Sequence, residues 1–281
     1  MTPGQPAHRG AAAVPPSSGR RGAFQTAGLT LSYLDYGGPG PVPLALHGQL
    51  NEARFVEQGA APLDDGYRIV ALEQRGHGES EHATSYATER YVDDAVALLD
   101  HLGIAKAVVL GHSLGAAVAY LLAARVPERV AGLIVVDIGA VIDDDLSVAQ
   151  SWPRRTAAQH ELIEALGFMG AKQAYVMRHY DDGWGLPYDG AQMAASQREL
   201  NGDHWQQWLS SPTRALLIHG TCSRRLSTEH AEQMADRRPN TTLIHLDAGH
   251  AVYVDNPVEY TAAVREILAQ LLPERATRDS P

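Results

Sequence analysis

The sequence predicts an α/β protein in which a mostly parallel central sheet carries helices on both faces and is interrupted once by a helical cap. Three observations carry that prediction. Short apolar runs recur at 42–46, 67–72, 107–110, 130–136, 215–218 and 242–246, and runs of this length bounded by turn residues read as strands buried on both faces. Helical segments alternate with them, as parallel strands require, because each crossover must return the chain to the same end of the sheet. Between 141 and 211 the rhythm gives way to helical, polar and aromatic-rich segments without a strand pattern.

In chain order, residues 1–22 are rich in Pro, Gly, Ala and Ser, contain no acid and show no hydrophobic period. They are expected to be a disordered tail, with order beginning near Ala23. The stretch 29–36 alternates like a strand and stops at the Gly/Pro turn cluster 37–41. A helix over 86–102 places Tyr91, Val92, Ala95, Val96, Leu98 and Leu99 at helical spacing, and Gly103 ends it. The run at 107–110 leads into a glycine-flanked turn and a small-residue helix, and a last helix spans 257–272. The body is therefore expected at 23–140 and 212–273, the cap at 141–211, and a short C-terminal tail at 274–281. All four tryptophans, Trp152, Trp184, Trp205 and Trp208, fall in the cap. Because the cap leaves the body at the carboxyl end of a strand, it must overlie the crevice where open α/β sheets bind ligands. That position makes it a lid.

Composition narrows the function classes. With 44% hydrophobic and 20% charged residues the chain suits one large globular domain with an insertion. A net charge of −10 leaves no electrostatic footprint for nucleic acid or an anionic membrane. No run approaches the roughly 18 apolar residues that read as a bilayer span. The single cysteine, Cys222, excludes an internal disulfide framework and suits a reducing compartment, so a cytoplasmic location is expected. Arg20-Arg21 lacks the apolar stretch that follows an export signal. Neither metal-ligand spacing nor a dinucleotide fingerprint is present. The expected partner is a small-molecule substrate, without metal or organic cofactor.

The chemistry centres on Gly111-His112-Ser113-Leu114-Gly115. In its strand–turn–helix context the pattern resembles the nucleophile elbow of the α/β-hydrolases. The resemblance implies strained backbone at the serine, where a Cβ two residues before or after would collide with the neighbouring strand and helix, a collision that glycine removes. The resemblance covers about 24–272 and extends to members with a serine nucleophile and a helical lid. Serine rather than aspartate at 113 points away from epoxide hydrolase and haloalkane dehalogenase chemistry.

What that resemblance implies is the chain order serine, acid, histidine. A serine hydroxyl is weakly nucleophilic near neutral pH and needs a base within hydrogen-bond reach, itself oriented by an acid. His250 matches the family's base, on a glycine-containing loop between the run at 242–246 and the last helix; His245 and His219 fit less well. His47-Gly48-Gln49 matches the family's His-Gly-x segment, so the backbone N–H groups of Gln49 and Leu114 are the implied oxyanion hole. His47, Gly48, His112, Trp152 and Trp184 are candidates for the substrate pocket.

The acid departs from the common pattern. Most members of the family carry it three residues after a glycine that follows the strand ending here at Ile218; this chain reads Gly220-Thr221-Cys222-Ser223, with serine in the acid's place. The fold's second acid position, after the strand that follows the nucleophile helix, holds Asp137. Asp143, Asp144 and Asp145 are expected to be solvated charges and Asp247 to shape the His250 loop. The segment 75–80 is expected to be structural, and Arg154, Arg155, His160, Arg178 and His179 to form the cap's solvated face. The expected function is hydrolysis of a small carboxylic ester or lactone through an acyl-enzyme, with thioester or carbon–carbon bond hydrolysis open to the same residues. A hydrolase scaffold that binds a ligand with weak or no turnover is the alternative. The two part on whether Asp137 reaches the far ring nitrogen of His250.

Overall fold

An eight-stranded sheet is the spine of the computed structural model, which describes residues 17–38, 40–59 and 66–272. In chain order the strands are β1 (Arg20–Thr26), β2 (Leu29–Asp35), β3 (Pro43–Leu46), β4 (Val70–Leu72), β5 (Ala107–His112) and β6 (Val130–Val136). Four short cap strands follow, β7 (Val141–Ile142), β8 (Arg178–Tyr180), β9 (Gly183–Gly185) and β10 (Gly202–Asp203), before β11 (Ala215–Gly220) and β12 (Thr241–Leu246). The helices are α1 (Phe55–Gly59), α2 (Thr88–His101), α3 (Leu114–Arg125), α4 (Gln159–Ala165), α5 (Gly170–Gln173) and α6 (Gly190–Leu200). They continue with α7 (Trp205–Ser210), α8 (Thr228–Asp236), α9 (Val252–Asp255) and α10 (Pro257–Leu271).

The sheet order is β1-β2-β4-β3-β5-β6-β11-β12. The β1–β2 and β2–β4 pairings are antiparallel, and every pairing from β4 to β12 is parallel. Alternation along each strand divides the core. Leu44, Leu46, Val109, Leu133, Val135 and Leu217 face the layer of α2 and α3. Ala45, Val108, Leu110, Ile134, Val136 and Ile218 face that of α9 and α10. Burial on both faces is why these strands read as unbroken apolar runs. After β3 the chain steps outward to β4 and then returns to the opposite side of β3 as β5. The carboxyl ends of β3 and β5 thus flank a topological switch point, where such sheets bind ligands.

Two expectations need correction. Residues 20–22 belong to β1, which pairs residue by residue with β2 from Arg20↔Asp35 to Thr26↔Leu29. As an edge strand it buries only Phe24, so it carries no hydrophobic period. Residues 1–16 of the expected tail, and 274–281, lie outside the described residues. The cap is not purely helical, since β8–β9 and β7–β10 are small antiparallel pairs too short for a visible period. Its apolar residues Leu162, Val176, Met177, Leu186 and Met193 join the same core as α2 and α3 rather than forming their own. Trp208 is fully buried, edge-on to Tyr120 of α3, with its Nε1–H donating to the Met234 carbonyl, so α7 packs on the body. Among the described residues no helix is long and apolar enough to cross a membrane.

Candidate active site

Ser113 follows β5 with φ 52° and ψ −118°, a conformation that costs a non-glycine residue about 1–3 kcal/mol. Its surroundings impose it. The Ser113 N–H donates to the Val136 carbonyl at 3.0 Å, and its own carbonyl starts α3 by accepting from Ala116 and Ala117. A Cβ on Gly111 would lie 2.2 Å from the Gly115 carbonyl oxygen, and one on Gly115 would lie 2.1 Å from that of Leu46. Both glycines are therefore demanded by backbone contact, the second by close approach of α3 to the end of β3. A Cβ on Gly48 would lie 3.1 Å from the Ser113 Cβ, so the loop after β3 lies directly beside the serine.

Asp137 immediately follows β6, also at φ 52°, and is fully buried. Its N–H donates to the Ile218 carbonyl at 2.9 Å, which fixes it between β6 and β11. Oδ1 accepts from the Gly220 N–H at 3.0 Å, and Oδ2 accepts from the Ser223 hydroxyl at 2.5 Å. The same Oδ2 lies 2.7 Å from Nδ1 of His250, whose side chain is 32% exposed against 0% for the aspartate. With Nδ1–H donating to the carboxylate, the Nε2 lone pair faces away from it and can accept a proton. Gly220 permits this meeting, because a Cβ there would lie 2.4 Å from the Gly249 carbonyl oxygen.

The histidine loop is held from two sides. Gly249 donates to the Asp255 carboxylate at 2.8 Å. This corrects the expectation for Asp247, whose carboxylate instead takes the Cys222 thiol at 3.6 Å. His112 Nε2–H donates to the His250 carbonyl at 2.9 Å, and the two rings lie 4.6 Å apart. Burial, and secondarily His250, push the His112 imidazole down to about 3, so it stays a neutral donor. Its hydrogen bond ties the end of β5 to the His250 loop. His47 is likewise structural: Nε2 accepts from the Gln74 N–H at 3.0 Å and Nδ1 donates to the Gly48 carbonyl at 2.8 Å. Burial holds it down at about 4.

The two implied oxyanion donors are Gln49, on the β3 loop, and Leu114, next to Ser113 at the first position of the twelve-residue α3, where the helix dipole favours negative charge. Among the described residues neither backbone N–H has a hydrogen-bond partner within the chain. The pocket candidates Trp152 and Trp184 are half-buried against the cap side of the core. Among the described residues no hydrogen bond or ring contact links either to Ser113, His250 or Asp137; Trp184 stands edge-on to His179.

The structure also revises the cap's charges. Arg178 is buried, not solvated, and pairs with Glu52 of the β3 loop and with Glu79. Arg155 pairs with Asp182 at 2.7 Å and covers the Tyr180 ring, and Asp144 pairs with Arg225. The segment 75–80 is structural as expected: Arg75 forks onto the buried Asp94, and Gly76 and Gly78 have φ 75° and 60°. Sequence reasoning missed Ser223 as a donor and Asn51 and Tyr253 as partners; the serine at the acid's position was the one available signal.

Residues 41–180 match the alpha/beta hydrolase fold family, and the chain belongs to that fold family. It is 26% identical to a 2-(acetamidomethylene)succinate hydrolase of Mesorhizobium japonicum over 74% of this chain and 80% of that protein. It is also 26% identical to a 3-oxoadipate enol-lactonase of Acinetobacter baylyi over 75% of this chain and 82% of that one. Among solved structures, an alpha/beta hydrolase from Novosphingobium aromaticivorans superposes with a TM-score of 0.76 at 26% identity, covering 91% of this chain and all (100%) of that chain.

Proposed function

We propose that the chain is a serine hydrolase that cleaves a small carboxylic ester or lactone. The observation that carries this reading is the 2.7 Å contact between Asp137 Oδ2 and His250 Nδ1, on loops flanking a serine in elbow geometry. In this mechanism Ser113 Oγ attacks the carbonyl carbon while His250 Nε2 takes the hydroxyl proton. Asp137 holds the ring and stabilises its positive charge. The oxyanion is received by the N–H groups of Gln49 and Leu114. Collapse breaks the carbon–oxygen bond, and His250 returns the proton to the departing alkoxide. Water, deprotonated by the same imidazole, attacks the acyl-enzyme, and collapse of the second intermediate frees the acid and reprotonates Ser113.

Hydrolase relatives such as the enol-lactonase support the reading. So does the reach of Asp137 to the far ring nitrogen, the contact on which the hydrolase and binding-protein readings part. Ser113→Ala is expected to abolish hydrolysis of p-nitrophenyl esters and labelling by a fluorophosphonate, with an unchanged circular dichroism spectrum. Undiminished turnover in this variant would sink the proposal. Thioesters and carbon–carbon substrates engage the same groups, and a panel of acyl-chain lengths and leaving groups separates these classes.

A further inference from the structure

We propose that Asn51 is a positioning residue through which the cap sets both the oxyanion loop and the loop of the catalytic histidine. The inference rests on the serine hydrolase reading above. Asn51 lies two residues beyond Gln49, is 9% exposed, and uses both ends of its amide to bridge three segments. Its Oδ1 accepts from the Tyr175 hydroxyl of the cap and from the Glu52 N–H. Its Nδ2 donates to the Tyr253 hydroxyl at 3.0 Å. Tyr253 is three residues past His250, and its ring stands edge-on to His112 at 5.1 Å. His112 in turn holds the His250 carbonyl. One side chain thus ties the cap to both halves of the catalytic apparatus.

The rest of the loop has the same dependence. Gln49 Nε2 donates to Ser196 of α6 at 2.7 Å, Glu52 pairs with Arg178 of β8, and Arg54 donates to the Tyr175 carbonyl at 3.1 Å. Between Gln49 and Asn51, Leu50 has φ 62°, a strained conformation that its flanking contacts must maintain. No regular strand or helix holds residues 47–54. The cap supplies much of the side-chain restraint, beside the body contacts of His47 to Gln74 and Asn51 to Tyr253, at a point where a shift of about 1 Å can cost roughly a hundredfold in rate.

The roles of oxyanion positioning and of pocket lining differ in what they change. A displaced oxyanion donor lowers kcat for every acyl group, because it acts on the carbonyl common to all of them; a damaged pocket wall raises KM for longer acyl chains. The test compares p-nitrophenyl acetate and butyrate in the full chain. Tyr175→Phe and Tyr253→Phe each delete one hydroxyl in place, and Asn51→Leu deletes all three bonds. Expected is a kcat loss of about tenfold for each tyrosine variant and about a hundredfold for Asn51→Leu. The loss should be equal on the two esters, with KM within about threefold. Tyr86→Phe, which removes a cap–body bond to Gln192 away from the loop, is expected to keep wild-type kcat. Loss confined to butyrate, loss expressed in KM, an equal loss in Tyr86→Phe, or wild-type kcat in both tyrosine variants would each overturn the proposal. If Asn51→Leu fails to fold, the two tyrosine variants carry the test alone. A wild-type chain that neither turns over the esters nor takes a fluorophosphonate on Ser113 fails the underlying reading instead, and is told apart by that.

Discussion

At the scale of single residues, the unusual member of the proposed site is its acid. Asp137 receives three donors on two oxygens, from Gly220, Ser223 and His250. Ser223 occupies the position where the resemblance places the acid itself, and its hydroxyl donates to the carboxylate proposed to serve instead. The two residues therefore differ sharply in expected weight. Asp137→Asn removes the acceptor that fixes the imidazole tautomer, and kcat on an activated ester should fall by about 10³–10⁴. Ser223→Ala removes one neutral donor while Gly220 still anchors Oδ1, so a loss of only about three- to tenfold is expected. Steady-state kinetics of both variants check the ranking. Equal losses would show that the hydroxyl, not the register of β6 and β11, sets the carboxylate's position.

At the scale of elements, the elbow and the β3 loop are held together by glycines of two kinds. A Cβ on Gly115 would meet the backbone oxygens of Leu46 and His47 at 2.1 and 2.7 Å. Backbone at the end of a buried strand cannot move aside, so Gly115→Ala is expected to lower the stability by about 3 kcal/mol or more, read as the urea midpoint. A Cβ on Gly48 would meet the His112 ring and the Ser113 Cβ, and Gly48→Ala should keep the fold while losing turnover. The parallel strands were legible in the sequence because burial on both faces makes them continuous apolar runs. The order of serine, aspartate and histidine was legible because each follows a recognisable strand. What stayed hidden shares a physical cause. β1 buries one side chain on a sheet edge, the cap strands are two or three residues long, and the burial of Arg178 depends on a glutamate 126 residues away. The three segments meeting at Asn51 are likewise brought together by tertiary packing, which leaves no local pattern.

At the scale of the whole molecule, the neutral histidines beneath the site couple stability to pH. His47 and His112 are pushed by burial down to about 4 and about 3, and His77, edge-on to His47 at 4.8 Å, lies well below the usual imidazole range. On unfolding, each regains an ordinary value of about 6.5. In acid the unfolded chain therefore binds more protons than the folded one, so stability rises with pH and is lost as pH falls below about 6.5. Each histidine contributes at most about 1.4 kcal/mol per pH unit within that window. Three together bring the loss to about 4 kcal/mol per unit, against a total stability of about 5–15 kcal/mol for a protein domain. Urea midpoints should hardly change between pH 8 and 7 and drop steeply between pH 6 and 5. His77→Gln, which removes one of these groups, is expected to flatten that slope. A stability flat from pH 7 to 5 would show that these rings are protonated without loss of structure. An acid limb of an activity profile that follows the urea midpoints would report loss of the fold through these three rings.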